Sequence, residues 1–399
     1  MSPRSTFRIA VRKFGPFESA IQKQWASFCR ATGCTLRLEA EPLDLHPLHD
    51  TLFAREGLKK GAWDVAFVVT DWIAEAHATH ALLDLAPLIA ANPPADFPHA
   101  WTDSLLRFQR FDKTILGLPY HDGPECLIYR KDLFDAAGLQ PPRTWHEFHT
   151  TARLLTKPSA NQYGTVFAAY PDGHNTVYDF CLQLWTRGGA LFDTAGRLHL
   201  TTTAAESALS FYREILTDTS AIHPKSRELD SVQSGFAFAR GEVAMMVNWF
   251  GFAAMGETLP ESTVKGKIAI APLPFAPGGN SASLNVYWTL GIGSGSPHAK
   301  IAYDFLRHCA SAENDKLLTL EGAIGCRKST WHDADVNRVI PFYRELEKIH
   351  THARELPRLP HWSELSAVID RLVTSAADTD EPISALLARA QQAADALTN

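Results

Sequence analysis

The chain has 399 residues, of which 45% are hydrophobic and 21% charged, with 24 Gly and 24 Pro. Those proportions exclude collagen, low-complexity disorder and a disulfide-dense miniprotein, and at this length a single core usually gives way to two lobes. Lys plus Arg number 38 against 44 Asp plus Glu, for a net charge of -6, and no long basic run occurs, so no nucleic-acid partner is expected.

Taken in order, Phe7 to Val11 reads as a strand, and Phe17 to Ala31 as a helix with Ile21, Trp25 and Phe28 on one face, closing at Gly33. Alternation marks a strand at Thr35 to Glu41, a helix-like pattern covers Leu45 to Lys60, and the apolar run Val65 to Val69 suits a buried parallel strand. A second α/β unit follows, with strands at Cys126 to Tyr129 and Gly164 to Ala169 and helices at Trp145 to Leu155 and Asn175 to Thr186. Helices are expected at Glu206 to Leu216 and Ser231 to Phe238, and strands at Val243 to Val247, Ile268 to Ala271 and Tyr287 to Ile292. From Ala299 the pattern is helical, through Ala302 to Cys309, Arg338 to Ile349 and Ser363 to Leu397.

The uncharged stretch between Lys267 and Lys300 is broken by Pro272, Pro274, Pro277, Gly278 and Gly279, so it does not span a membrane. Met1 to Thr6 leads straight into the first strand without the apolar core of an export signal. The chain is therefore expected to be periplasmic or extracellular if a signal was removed from it, and cytoplasmic otherwise. Cysteines 29, 34, 126, 181, 309 and 326 form no CxxC pair, which argues against metal clusters and redox motifs. Parallel-sheet units place ligands at the carboxyl ends of strands, so a cleft is expected between the two lobes.

Catalytic signatures are absent: there is no phosphate loop, HExxH or EF-hand loop, and Gly291-Ile292-Gly293-Ser294-Gly295 has its serine in the wrong place for a nucleophile elbow. The pairs His46/His49 and His350/His352 read as surface histidines rather than metal ligands, and no cofactor is expected. Glu125 and Asp122 keep open the alternative of a carbohydrate-active hydrolase.

Aromatic residues stand beside polar ones at expected strand ends: Asp71-Trp72, Tyr120-His121-Asp122, Asn248-Trp249 and Tyr287-Trp288. Indole and phenol faces stack on the C–H faces of a sugar while carboxylate, amide and imidazole groups bond its hydroxyls. Each has a packing alternative. Asp71 could instead cap a helix beginning at Trp72, and of the neighbours Tyr287 and Trp288 one must face inward. Trp25 and Trp145 sit at core spacing.

Several blocks resemble the sugar-binding group of bacterial extracellular solute-binding proteins, to which the maltose-binding proteins belong. They are Gly61 to Trp72 with Ala81-Leu82-Leu83-Asp84-Leu85, Gly117-Leu118-Pro119-Tyr120, Leu127 to Phe134 with Ala137-Gly138-Leu139, and Pro142 to Phe148. Gly188 to Phe192, Phe238 to Met245 and Pro272-Leu273-Pro274 continue the resemblance in the family's order. It implies a two-lobed, type II periplasmic-binding-protein-like α/β fold, each lobe a mostly parallel sheet flanked by helices. The lobes would be residues 1–120 with 272–325, and 121–271 with 326–399.

The implied function is substrate binding for an ABC importer: a monomer, not an enzyme, that holds a mono- or oligosaccharide, closes by hinge motion and delivers it to a membrane permease. A charged solute such as a polyamine or phosphate ester is the other alternative. The resemblance adds Tyr178 as a stacking aromatic, Asp71 as a hydroxyl-binding carboxylate, and Phe14, Arg327 and Trp362 as further contacts. Arg130 departs from the family's usual Asn beside the hinge.

Overall fold

The computed structural model describes residues 5–398. Met1 to Arg4, the first part of the stretch read for an export signal, lie outside the described residues. The strands that organise the chain are β1 (Thr6–Arg12), β2 (Arg37–Leu43), β3 (Val65–Val69), β4 (Leu118–His121), β5 (Glu125–Arg130), β6 (Tyr163–Val166), β7 (Val243–Trp249), β8 (Ile268–Ala271) and β9 (Trp288–Ile292). Two compact units result. Unit one holds the chain up to Gly123 with Asn285–His350 and Glu355–Pro360, and unit two holds Pro124–Leu284, Thr351–Arg354 and the chain from His361.

Unit one is built on a five-stranded sheet in the order β2-β1-β3-β9-β4. β1 pairs parallel with β2 and β3, while β9 runs antiparallel to both β3 and β4. β3 is buried throughout, as its unbroken apolar run requires of a strand covered on both faces. Helix α1 (Gly15–Thr32) buries Phe17, Ile21, Trp25 and Phe28, and Trp25 stacks on Phe7 of β1 at 4.5 Å. The helix ends where Gly33 turns left-handed, at φ 72°, a conformation that costs a glycine little.

Unit two is built on a four-stranded sheet in the order β8-β5-β7-β6, with β5 antiparallel to both neighbours and β6 parallel to β7. In each sheet the one reversed strand, β9 or β5, is the first strand after the chain enters that unit. Helices α2 (Trp145–Leu155) and α4 (Thr203–Thr217) each bury one face, whereas α3 (Asn175–Trp185) is buried throughout. α2 opens on a reciprocal cap: the Glu147 N–H donates to Thr144 Oγ1 at 3.1 Å, and Glu147 Oε2 accepts the Thr144 N–H at 3.3 Å. It lies so close to β6 that a Cβ on Gly164 would fall 1.8 Å from the Ala152 carbonyl oxygen.

Unit membership differs from the sequence expectation at four places: residues 121–123 and 355–360 belong to unit one, and two longer segments also change unit. Residues 272–284 lie in unit two, because Ser283 and Leu284 pair with Ala353 and Arg354 and the Ser283 hydroxyl donates to the Glu125 carbonyl at 2.5 Å. Residues 326–350 lie in unit one, tied there by Arg327 and His350. Three expected helices are also shorter. The one from Leu45 turns wide at Asp50–Ala54 and stops at left-handed Glu56, while Pro341 and Pro382 break the two later ones, since proline cannot continue the ladder. The last two helices are therefore α5 (Trp362–Asp378) and α6 (Ile383–Thr398).

Two substitutions test this packing in urea unfolding. Thr144→Ala should cost about 1 kcal/mol by removing the cap, and Gly164→Ala about 3 kcal/mol by forcing α2 off β6. A Gly164→Ala chain as stable as the parent would contradict the close approach.

Candidate functional site

In unit one the carboxyl end of β3 runs into a tight turn, Thr70–Trp72, and the amino end of β9 lies beside it, Trp288 pairing with Val69 on one side and His121 on the other. The indoles of Trp72 and Trp288 meet edge to face at 5.9 Å and 89°. Trp72 is buried, held also by His49 at 4.9 Å, whereas Trp288 is half-buried. Phe14, half-buried at the head of α1, joins the same end through Phe17, 5.1 Å from Phe14 and 4.8 Å from His121.

His121 Nδ1 accepts the Ile324 N–H at 2.9 Å, and burial pushes the imidazole down to about 4 although Asp122 opposes the shift. Asp122 is committed elsewhere: its Oδ2 lies 2.7 Å from His350 Nε2, and both side chains are buried. His350 in turn stacks on Trp331 at 5.0 Å and meets Ser104 Oγ at 3.1 Å. This pair joins Asp122 and His350, two residues that stand at points where the chain leaves unit one.

Asp71 borders a small recess with Asn285, Val286, Glu355 and Arg358. Asn285 is only 1% exposed, and neither end of its amide has a hydrogen-bond partner. Sequence reasoning missed it, although a polar residue three positions before Trp288 in an uncharged stretch was a usable signal.

Tyr287 and Arg327 are not free to meet a solute. Tyr287 is fully buried and its hydroxyl donates to the Leu105 carbonyl, as the alternation along β9 requires once Trp288 faces the other way. Arg327 is 2% exposed and donates to the Ala95 and Ala310 carbonyls and to Asp96 Oδ2, with Trp101 against its guanidinium at 4.9 Å.

In unit two the carboxyl end of β7 carries Asn248 and Trp249, and Trp249 faces Glu125 across the ladder to β5. Tyr178 of α3 meets the half-buried Trp249 edge to face at 5.7 Å and 86°. The Asn248 amide is engaged at both ends: its Oδ1 accepts the Trp249 N–H at 2.8 Å and its Nδ2 donates to the Ser231 carbonyl at 3.0 Å. Trp362 is buried in the first turn of α5, a helix held to α3 by the Thr176–Asp370 hydrogen bond.

Next to Tyr178, Asp179 accepts the Tyr212 hydroxyl at 3.1 Å. Burial drives its carboxyl up to about 8, the Tyr212 bond opposing and Asp172 adding to the rise. Glu125 is pushed well above the usual carboxylate range by burial and by Asp179, and its Oε2 has no hydrogen-bond partner. Among the described residues no group of three or more His, Cys, Asp or Glu is placed to hold a metal ion, and no helix is long and apolar enough to cross a membrane.

Each unit thus carries an aromatic pair at one end of its sheet. Residues 47–316 match the model of the bacterial extracellular solute-binding protein family, and the chain belongs to that family. A probable ABC transporter-binding protein of Deinococcus radiodurans is 26% identical over 92% of this chain and 86% of its own. An Agrobacterium radiobacter ABC transporter solute-binding protein in complex with ribitol is 25% identical, with TM-score 0.89 over 98% of both chains. Maltose-bound MalE3 of T. maritima has TM-score 0.88 at 23% identity over 98% of this chain and 99% of its own.

The two perturbed groups act on stability in opposite directions. Folded Asp179 keeps a proton that an ordinary carboxyl, near 3.8, has lost, so its contribution is full below about pH 4 and disappears as pH rises toward 8. Folded His121 refuses a proton that an ordinary imidazole takes near 6.5, so its contribution is full above that pH and is lost as pH falls toward 4. Asp179→Asn should remove a fall in urea midpoint between about pH 4 and 8, and His121→Gln a rise between about pH 4 and 6.5. Unchanged slopes would contradict these assignments.

Proposed function

We propose that this chain is the solute-capturing component of an ABC importer, working outside the cytoplasmic membrane as a monomer, and that its solute is a saccharide or sugar alcohol. The observation that carries the reading is the pair of aromatic edges, Trp72 with Trp288 and Tyr178 with Trp249, each beside carboxylate or amide groups. Ring faces cover the C–H surface of a polyol while directed donors and acceptors take its hydroxyls. The ribitol held by the Agrobacterium relative is a molecule of this chemistry.

Residues of both units take part: Phe14, Asp71, Trp72, His121 and Trp288 from the first, Tyr178 and Trp249 from the second, with Asp122, Asn248 and Trp362 supporting them. A solute touching both sets favours whichever arrangement of the units satisfies both, and about 5.5 kcal/mol of differential affinity turns a 1:99 population into 99:1. Release to a permease then needs only that the membrane partner favour the other arrangement. No bond in the solute changes.

Calorimetric titration with ribitol, mannitol, glucose and maltose tests this. At least one should bind stoichiometrically and be recovered unaltered after prolonged incubation. Trp249→Ala should weaken that binding about 10-fold or more, the equivalent of about 1.4 kcal/mol, while Tyr287→Phe leaves affinity unchanged and lowers the unfolding midpoint. Cleaved sugar, or full affinity in Trp249→Ala, would overturn the reading.

A further inference from the structure

We propose that the solute carries a basic nitrogen, and that Glu125 and Asp179 receive it as an ammonium beside the Tyr178–Trp249 pair. The inference rests on the sugar-binding reading above and specifies its solute as an amino sugar or amino polyol.

Four features of unit two lead to it. The first is position: Glu125 opens β5 directly across from Trp249, whose ring meets Tyr178, and Asp179, the next residue of α3, is near enough to raise the Glu125 carboxyl. The second is burial, with Glu125 at 4% and Asp179 at 8% exposure. The third is the orphaned Glu125 Oε2, a strong acceptor with nothing to accept from. The fourth is charge: burial and other acids act on the pair, Tyr212 donates to it, and no Lys, Arg or His among the described residues compensates either member.

A buried carboxylate pair without a cation is costly unless it holds a proton or receives a positive group from outside. For a merely structural position an apolar pair of similar volume would serve as well. An ammonium fits what is present: it gives up to three directed donors, enough for Glu125 Oε2 and Asp179 together, and its charge is attracted to the electron-rich faces of Trp and Tyr. In the free protein the pair retains a proton near neutral pH. When an ammonium enters, that proton leaves to solvent, so capture is coupled to proton release. A neutral hydroxyl in the same place displaces none.

Matched probes that differ only in nitrogen for oxygen test the proposal: glucosamine against glucose, and glucamine against sorbitol. Titrations near pH 7 in buffers of different ionisation enthalpy read affinity and protons released. The amine of at least one pair should bind 10-fold or more tighter than its hydroxyl partner and release close to one proton. Glu125→Gln should remove both the preference and the release, with Asp179→Asn as the second variant should the first not fold. Equal or tighter binding of the neutral member, binding without proton release, or no binding by any amine would overturn it. A neutral binder that passes the Trp249→Ala test leaves the sugar-binding reading standing, whereas the absence of any polyol binding removes both.

Discussion

The insertion of β9 between β3 and β4 is the constraint on which unit one depends. The strand reaches its place only after the chain has built most of unit two, and it enters antiparallel, pairing Trp288 with Val69 and Ile292 with Val65. That register sets which side chain points where: Tyr287 into the core with its hydroxyl on Leu105, Trp288 toward Trp72. A slip of one residue would exchange the two faces and bury the indole that the reading assigns to the solute. β5 has the equivalent role in unit two, where its first residue, Glu125, lies opposite the last residue of β7, Trp249.

The same constraint explains why several polar residues are buried near the places where the chain changes unit. Asp122 and His350 satisfy each other at 2.7 Å, and Asp122 also donates its N–H to the Ile324 carbonyl at 2.9 Å. Breaking such a pair leaves a buried polar group without a partner, at a cost of several kcal/mol. These contacts hold the edges of unit one in place, whereas each aromatic pair at a sheet end keeps one ring partly exposed, Trp288 or Trp249. Arg130, which replaces the family's usual Asn, is locked onto Asp132 by two hydrogen bonds of 2.8 and 2.6 Å, so the departure is absorbed locally.

Much of the fold was legible because period and composition act locally. The run Val65 to Val69, the helical face of Phe17, Trp25 and Phe28, and the Thr144/Glu147 cap each carry their physics within a few residues. The two helices broken at Pro341 and Pro382 show the reverse: apolar periodicity continues across a proline that the backbone cannot accommodate. For the site, strand-end aromatics were legible as candidates, but which ring faces inward depends on register and pairing partners. Arg327 was expected as a further contact, yet its guanidinium meets the Ala95 carbonyl and the Asp96 carboxylate, more than 200 residues away in sequence, a relation no local pattern encodes. The influence of Asp179 on Glu125 is likewise tertiary.

The most direct measurement is a crystal structure of the chain with a bound sugar or sugar alcohol. The account predicts the solute against Trp288 of the first unit and Trp249 of the second, with Tyr287 and Arg327 still enclosed as they are without it. A solute seated elsewhere, leaving both indoles without contact, would contradict it.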